Sequence, residues 1–126
     1  MINKNFKIFL FIEKLNELNL DYVKKIGAIL ILKNPEKINL EDLKRFNKRC
    51  ISKKINLFIQ NSVKILFLLK TNNFYISAYN KSRFKQLRKI NRKVKIIGSA
   101  HNIPEIREKL AQGCEYIVLS RIFKTS

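Results

Sequence analysis

The chain has 126 residues, 46% of them hydrophobic and 29% charged, which suits one compact domain over residues 1–126. Its longest apolar stretches, such as Ala28–Leu32, fall far short of the ~20 residues that a membrane helix needs. The formal net charge is +18. Lysines and arginines are scattered over every predicted helix rather than gathered on one, which favours an anionic small-molecule substrate over a nucleic-acid partner. The amino terminus lacks the cleavage site of a signal peptide, so we expect a cytoplasmic protein.

Six short apolar runs recur along the chain at roughly 20-residue intervals, a rhythm typical of strand–helix units. The runs are nearly continuous in Ile, Leu, Val and Phe, as in strands that are buried on both faces of a parallel sheet. The predicted strands are Lys7–Ile12, Ala28–Leu32, Asn56–Ile59, Phe74–Ile76, Lys95–Ile97 and Tyr116–Leu119.

Helix-like segments separate these strands, and two of them carry clear start signals. Asn39 is predicted to cap the helix after the second strand, whose apolar residues recur at three- and four-residue spacing as Leu40, Leu43, Phe46 and Cys50.

The helix after the fifth strand begins with Asn102 and Glu105, a capping-box pattern with Asn as the cap. Gly113 is predicted to end this helix. Its predicted apolar face consists of Ile103, Ile106 and Leu110.

Strand–helix units without hairpin signals predict either an open doubly wound sheet or part of an eight-stranded barrel. Residues 13–16, directly after the first strand, contain no glycine, so the glycine-rich signature of dinucleotide-binding sheets is absent. We therefore predict an α/β fold of the (β/α)8 TIM-barrel type, present as about the first six units and incomplete at its carboxyl end. Because an unclosed barrel leaves two sheet edges unpaired, we expect self-association or a partner chain that completes the barrel.

In parallel strand–helix folds the active site lies at the carboxyl ends of the strands, where this sequence is polar after nearly every strand. The loop predicted after the fifth strand, Ser99–Asn102, contains His101, the one histidine of the chain. An imidazole exchanges protons near neutral pH, and the helix start at Asn102 suits a phosphate. A structural hydrogen bond for His101, and helix capping for Ser99 and Asn102, remain alternatives.

The two cysteines, Cys50 and Cys114, are far apart in the sequence. With a single histidine they cannot build a four-ligand zinc site. We predict that both are small buried residues, with a reactive thiol or a disulfide as the alternatives.

The segments Ile96–Asn102 and Gly113–Thr125 resemble the thiamine-phosphate synthase and TenI (thiazole tautomerase) superfamily. Its members carry a strand ending in Ile-Gly, a Ser-x-His-Ser turn, a helix, and a Gly-Ala-Asp-Tyr strand that leads to a phosphate-contacting Pro-x-Phe-x-Thr loop. Leu57–Val63 and Phe74–Asn80 are similar to two further segments of that superfamily. The resemblance spans nearly the whole chain and is specific between Ile96 and Thr125.

The resemblance implies an eight-stranded TIM barrel that acts in thiamine biosynthesis. The synthases, which are transferases, couple hydroxymethylpyrimidine diphosphate to a thiazole phosphate with magnesium. The tautomerase branch isomerises by proton transfer. By this resemblance, His101 is the catalytic proton carrier. The implied phosphate or substrate contacts are Lys33, Asn61, Asn80, Ser99, Asn102 and Thr125.

The sequence departs from the synthase pattern at several positions. Asn61 and Asn80 stand where the synthases have metal-binding aspartates, Lys33 is the nearest equivalent of a Gln-x-Arg-x-Lys segment, and Arg121 replaces a proline. Mg²⁺ prefers carboxylate oxygen, so the resemblance implies this cofactor while the two asparagines oppose it. Coupling, TenI-like isomerisation, a degenerate non-catalytic member and a basic nucleic-acid-binding module therefore stay open as functions.

Overall fold

The computed structural model describes residues 7–16 and 18–119 of the chain. Its strands form one six-stranded sheet in chain order, and every pairing is parallel. A doubly wound sheet would reverse its strand order at a switch point, whereas this sheet keeps its order and curls into a half-barrel with alternating helices. The predicted incomplete TIM barrel is thus confirmed as a fold.

The strands lie close to the predicted apolar runs. They are β1 (Phe9–Ile12), β2 (Ile29–Leu32), β3 (Leu57–Gln60), β4 (Asn73–Ile76), β5 (Lys95–Ala100) and β6 (Tyr116–Leu119). The main difference is in β5, which runs three residues beyond its predicted end. Ser99 pairs with Val118 and Ala100 with Leu119, so the prediction of Ser99 and Ala100 in a loop is wrong, because the ladder with β6 continues through them.

The helices lie between successive strands. They are α1 (Leu20–Ile26), a 3₁₀ helix (Pro35–Lys37), α2 (Leu40–Ser52), α3 (Val63–Leu68), α4 (Lys85–Ile90) and α5 (Ile103–Ala111). As predicted, the Asn39 side chain caps α2, accepting hydrogen bonds from the backbone N–H groups of Glu41 and Asp42. Within the described residues, every helix is too short or too polar to span a lipid bilayer.

The sheet has two apolar faces because successive side chains of a strand point in opposite directions. The outer face packs against the helices and includes Leu30, Leu32 and Phe74. The inner, concave face is filled by Ile31, Phe58, Tyr75 and Ile97. The inner layer also brings distant strands into contact, since the rings of Phe11 on β1 and Tyr75 on β4 meet edge to face at 5.5 Å.

The buried face of α5 differs from the predicted one. Ile103 and Leu110 are exposed, whereas Lys109 and Gln112 are buried. The three- and four-residue spacing predicts an apolar stripe, but Lys109 bonds the carbonyl oxygens of Ala78 and Asn80 in a neighbouring loop, so a polar side chain lies on the inward side of the helix. Both cysteines are buried and free, as predicted.

Candidate functional site

A crevice of about 410 Å³ lies on the concave side of the half-barrel, at the carboxyl ends of the strands. It contains three of the predicted site residues, Lys33, Ser99 and His101. Within the residues that the structure describes, its lining is Phe11, Lys33, Gln60, Tyr75, Ser77, Ala78, Tyr79, Ser99, His101, Val118 and Leu119.

The strand periodicity explains how these side chains meet. Tyr75 lies on β4, and Ser77 comes two residues later, directly after the strand. Ile97 and Ser99 have the same spacing on β5, and His101 directly follows that strand. All therefore project to the concave face, and the parallel strands deliver their last residues to one edge. Burial raises the pKa of the Tyr75 phenol, an effect that the neighbouring Ser99 side chain partly offsets.

His101 is held by the carboxylate of Glu105. Its ring Nδ1 lies 3.0 Å from Oε1 of Glu105, and its backbone N–H donates to the same oxygen at 2.7 Å. These contacts lower the pKa of the Glu105 carboxyl, the backbone hydrogen bond contributing most. The imidazole is 44% exposed, so a substrate in the crevice can reach it.

Lys33 supplies a positive charge at the crevice. Its Nζ lies 3.5 Å from Oε1 of Glu13, which follows β1. Both side chains are well exposed, so this ion pair is weak. A bound phosphate could therefore compete with Glu13 for the ammonium group.

Asn61 and Asn80 lie outside this crevice, and their side-chain oxygens already accept backbone hydrogen bonds. Asn61 Oδ1 accepts from the Ser77 N–H at 3.1 Å, while its Nδ2 donates to Ser77 Oγ at 2.9 Å. Asn80 Oδ1 accepts from the Ser82 N–H at 2.9 Å. Within the described residues, no three His, Cys, Asp or Glu side chains lie close enough together to hold a metal ion. The amide side chains of Asn61 and Asn80 therefore do not fit Mg²⁺, which prefers carboxylate oxygen.

Asn102 caps α5, and its Oδ1 accepts from the Glu105 N–H at 2.9 Å. The helix start thus binds its own side chains: Asn102 takes one first-turn N–H group, and Glu105 takes the N–H of His101. Asn102 is not among the residues that line the crevice. Thr125 and Arg121 lie outside the described residues.

A buried lysine, which no local sequence pattern indicates, holds the loop between β4 and α4. Lys109 Nζ donates to the carbonyl oxygens of Ala78 (3.2 Å) and Asn80 (2.9 Å) and to Gln112 Oε1 (2.8 Å). Gln112 Nε2 in turn donates to the carbonyls of Asn80 (2.7 Å) and Ser82 (2.8 Å). This loop carries Tyr79, which lines the crevice together with His101, so α5 also fixes a loop that forms part of the site.

A larger cavity, of about 570 Å³, occupies the other end of the concave face. Its lining includes Lys7, Lys95 and Glu115 from the amino-terminal ends of strands. None of the predicted site residues between positions 7 and 119 contributes to it. Conserved function in such barrels belongs to the carboxyl end, which favours the crevice around His101 as the functional site.

Comparison with known proteins gives the same fold. A family model described as thiamine monophosphate synthase matches residues 14–126. Among solved structures, thiamine phosphate pyrophosphorylase from Pyrococcus furiosus superposes with a TM-score of 0.65 at 12% sequence identity. The match covers 93% of this chain and 61% of that one, so this chain spans about three fifths of that protein's length. A search of curated protein sequences found no significant match.

Proposed function

The chain belongs to the thiamine monophosphate synthase family, and from this premise we propose that it acts in thiamine biosynthesis by isomerising a thiazole phosphate through proton transfer at His101. In this proposal Lys33 and Ser99 bind the phosphate. His101 removes a proton from one carbon of the substrate and returns a proton to another. The reaction conserves atoms and electrons, so it requires neither an oxidant nor a second substrate.

The observation that carries the proposal is the presence of an imidazole, an ammonium group and a hydroxyl in one crevice, from His101, Lys33 and Ser99. A single imidazole can serve as base and then as acid. Lys33 and Ser99 are both donors to phosphate oxygens. The crevice therefore provides an anion site beside a proton carrier.

The state of the two asparagines favours isomerisation over coupling. Coupling would expel diphosphate, and the leaving group's charge would have to be neutralised. The side-chain oxygens of Asn61 and Asn80 are held by backbone N–H groups and carry no negative charge. Proton transfer makes no such demand on these positions.

Calorimetric titration of the chain with thiazole phosphate, in parallel with a random oligonucleotide, tests this proposal. We expect saturable binding of the thiazole phosphate. We also expect a loss of affinity of about tenfold in Lys33→Met, which removes one charge-assisted hydrogen bond.

The matched control is Lys48→Met, an exposed lysine of α2, which should bind as the wild type does. Binding of the oligonucleotide alone, with a steep dependence on salt, would contradict the proposal and favour a nucleic-acid-binding module. Binding of thiazole phosphate without isomerisation would instead favour a non-catalytic family member.

A further inference from the structure

We propose that Glu105 is a positioning residue for His101, holding the Nδ1 side of the imidazole so that Nε2 is the nitrogen that exchanges protons with the substrate. This inference rests on the proposed function of His101. It adds the group that selects the working nitrogen and fixes the orientation of the ring.

The contacts of Glu105 converge on one residue. Its Oε1 lies 3.0 Å from the His101 ring Nδ1 and 2.7 Å from the backbone N of the same histidine. An ionised carboxylate only accepts hydrogen bonds, so the facing Nδ1 must carry a hydrogen. In a neutral imidazole the other nitrogen, Nε2, then has the free lone pair and can act as a base.

The start of α5 places Glu105 where these contacts are made. Asn102 Oδ1 accepts the Glu105 N–H at 2.9 Å, which fixes Glu105 in the first turn. Side chains of a helix lean toward its amino terminus, so the carboxylate reaches back to a residue four positions earlier. The Glu105 side chain is 25% exposed, and its partial burial strengthens both contacts relative to a pair in open solvent.

Helix capping by itself does not account for this arrangement. In a capping box the glutamate accepts from the backbone N–H of the cap residue, which here is Asn102. The Glu105 carboxylate instead accepts from the N–H of His101, one residue earlier, and also contacts the imidazole. Its partner is therefore the proposed proton carrier.

The other charged and titratable groups near this pair come from α5 itself and from the elements around the crevice. Lys33, after β2, Tyr75 on β4 and Tyr79 in the following loop line the same crevice, while Lys109 of α5 acts electrostatically on Glu105. Among the ion pairs of the described residues, Glu105 is the carboxylate that reaches His101. It is therefore the group whose removal should change the tautomer of the ring.

The test is long-range proton–nitrogen NMR of ¹⁵N-labelled protein without substrate, which sees one imidazole because the chain has one histidine. We expect the neutral ring of the wild type to carry its hydrogen on Nδ1. Glu105→Ala should shift the population toward the Nε2–H tautomer. Glu105→Gln, which keeps an uncharged acceptor for the His101 N–H, should lie between the two and remains informative if the alanine variant fails to fold.

The kinetic counterpart is isomerisation of thiazole phosphate. Since a positioned acid–base group contributes ~10²–10⁴-fold, we expect the loss of positioning in Glu105→Ala to lower kcat about tenfold with little change in KM. The control is Glu108→Ala on the same helix, whose carboxylate is equally exposed at 25% and pairs with Arg83 at 2.9 Å. It should leave both the tautomer and kcat unchanged.

An unchanged tautomer in both Glu105 variants would overturn the inference even if His101 proves essential for isomerisation. An Nδ1–H tautomer that depends on Glu105 supports it even in a protein that isomerises nothing, a result that would refute only the proposed function. Equal losses in Glu105→Ala and Glu108→Ala would also overturn it, because they would indicate a general effect on α5.

Discussion

Lys109 Nζ lies 2.9 Å from the backbone carbonyl oxygen of Asn80, so a fully buried cation on α5 fixes the loop that follows β4. The same ammonium group bonds Ala78 and Gln112, and all three of its donor positions have acceptors. The family resemblance directs attention to the Asn80 side chain, yet it is the Asn80 backbone that joins this network.

Replacing Lys109 by methionine should lower the free energy of unfolding by about 2 kcal/mol, because buried carbonyls lose their donor while the chain length is kept. Denaturant unfolding measures the change. Arg107→Met, an exposed position of the same helix, should change stability by less than ~0.5 kcal/mol. Equal stability of Lys109→Met and the wild type would show that the hydrogen bonds of Lys109 contribute nothing to the free energy of unfolding.

The difference in stability between the wild type and Lys109→Met should depend on pH. Burial lowers the pKa of Lys109 below its ordinary 10.5, so between the folded pKa and 10.5 the unfolded chain binds more protons. Stability of the wild type relative to Lys109→Met should therefore rise with pH in that window. A fall in this relative stability with rising pH would contradict a lowered pKa for Lys109.

Gly98 on β5 faces Lys109 of α5 and Cys114 at close range. A Cβ at this position would lie 2.6 Å from Cys114 Sγ and 2.7 Å from Lys109 Cδ. We expect Gly98→Ala to destabilise the protein by about 2 kcal/mol through overpacking. Adding Cys114→Ala should recover part of this loss in thermal unfolding, and a fully additive double variant would speak against the sulfur contact.

The two thiols should be inert in the folded protein. Burial raises the pKa of Cys50 and of Cys114 to about 11, so the reactive thiolate is scarce at pH 8. Reaction with an aromatic disulfide reagent should be slow until denaturant is added, and then release two equivalents. Immediate reaction of either thiol in the native protein would show that its site is open.

The concave face should promote self-association, since it exposes large apolar side chains. Phe11 is 47% and Leu119 66% exposed beside the crevice. In sedimentation velocity, the weight-average sedimentation coefficient should grow with protein concentration. The double variant Phe11→Ser and Leu119→Ser should shift this coefficient toward that of the monomer. Tyr22→Ser, an exposed aromatic of α1, is the control. A wild type that stays monomeric at all concentrations would contradict this.

The strands were predictable because each is a short apolar run, and β6 has its predicted bounds. The end of β5 was not predictable, because Gly98 and Ser99 resemble the start of a turn. Only the pairing with β6 extends the strand through them. Lys33, Ser99 and His101 were predicted as site residues from their positions after strands and from the family resemblance.

The burial of Lys109 could not be predicted in this way. Its acceptors at Ala78 and Asn80 lie about 30 residues away in sequence, and a lysine in a helix is ordinarily exposed. The bonding of Asn61 to Ser77 is likewise a contact between strand ends that no local pattern encodes.

His101→Gln, assayed by proton NMR for conversion of thiazole phosphate, decides whether His101 carries the chemistry. The side chain is 44% exposed, so the variant should fold with a stability within ~0.5 kcal/mol of the wild type. It should bind the thiazole phosphate yet isomerise it ~10²–10⁴-fold more slowly. Isomerisation at the wild-type rate by His101→Gln would contradict the account.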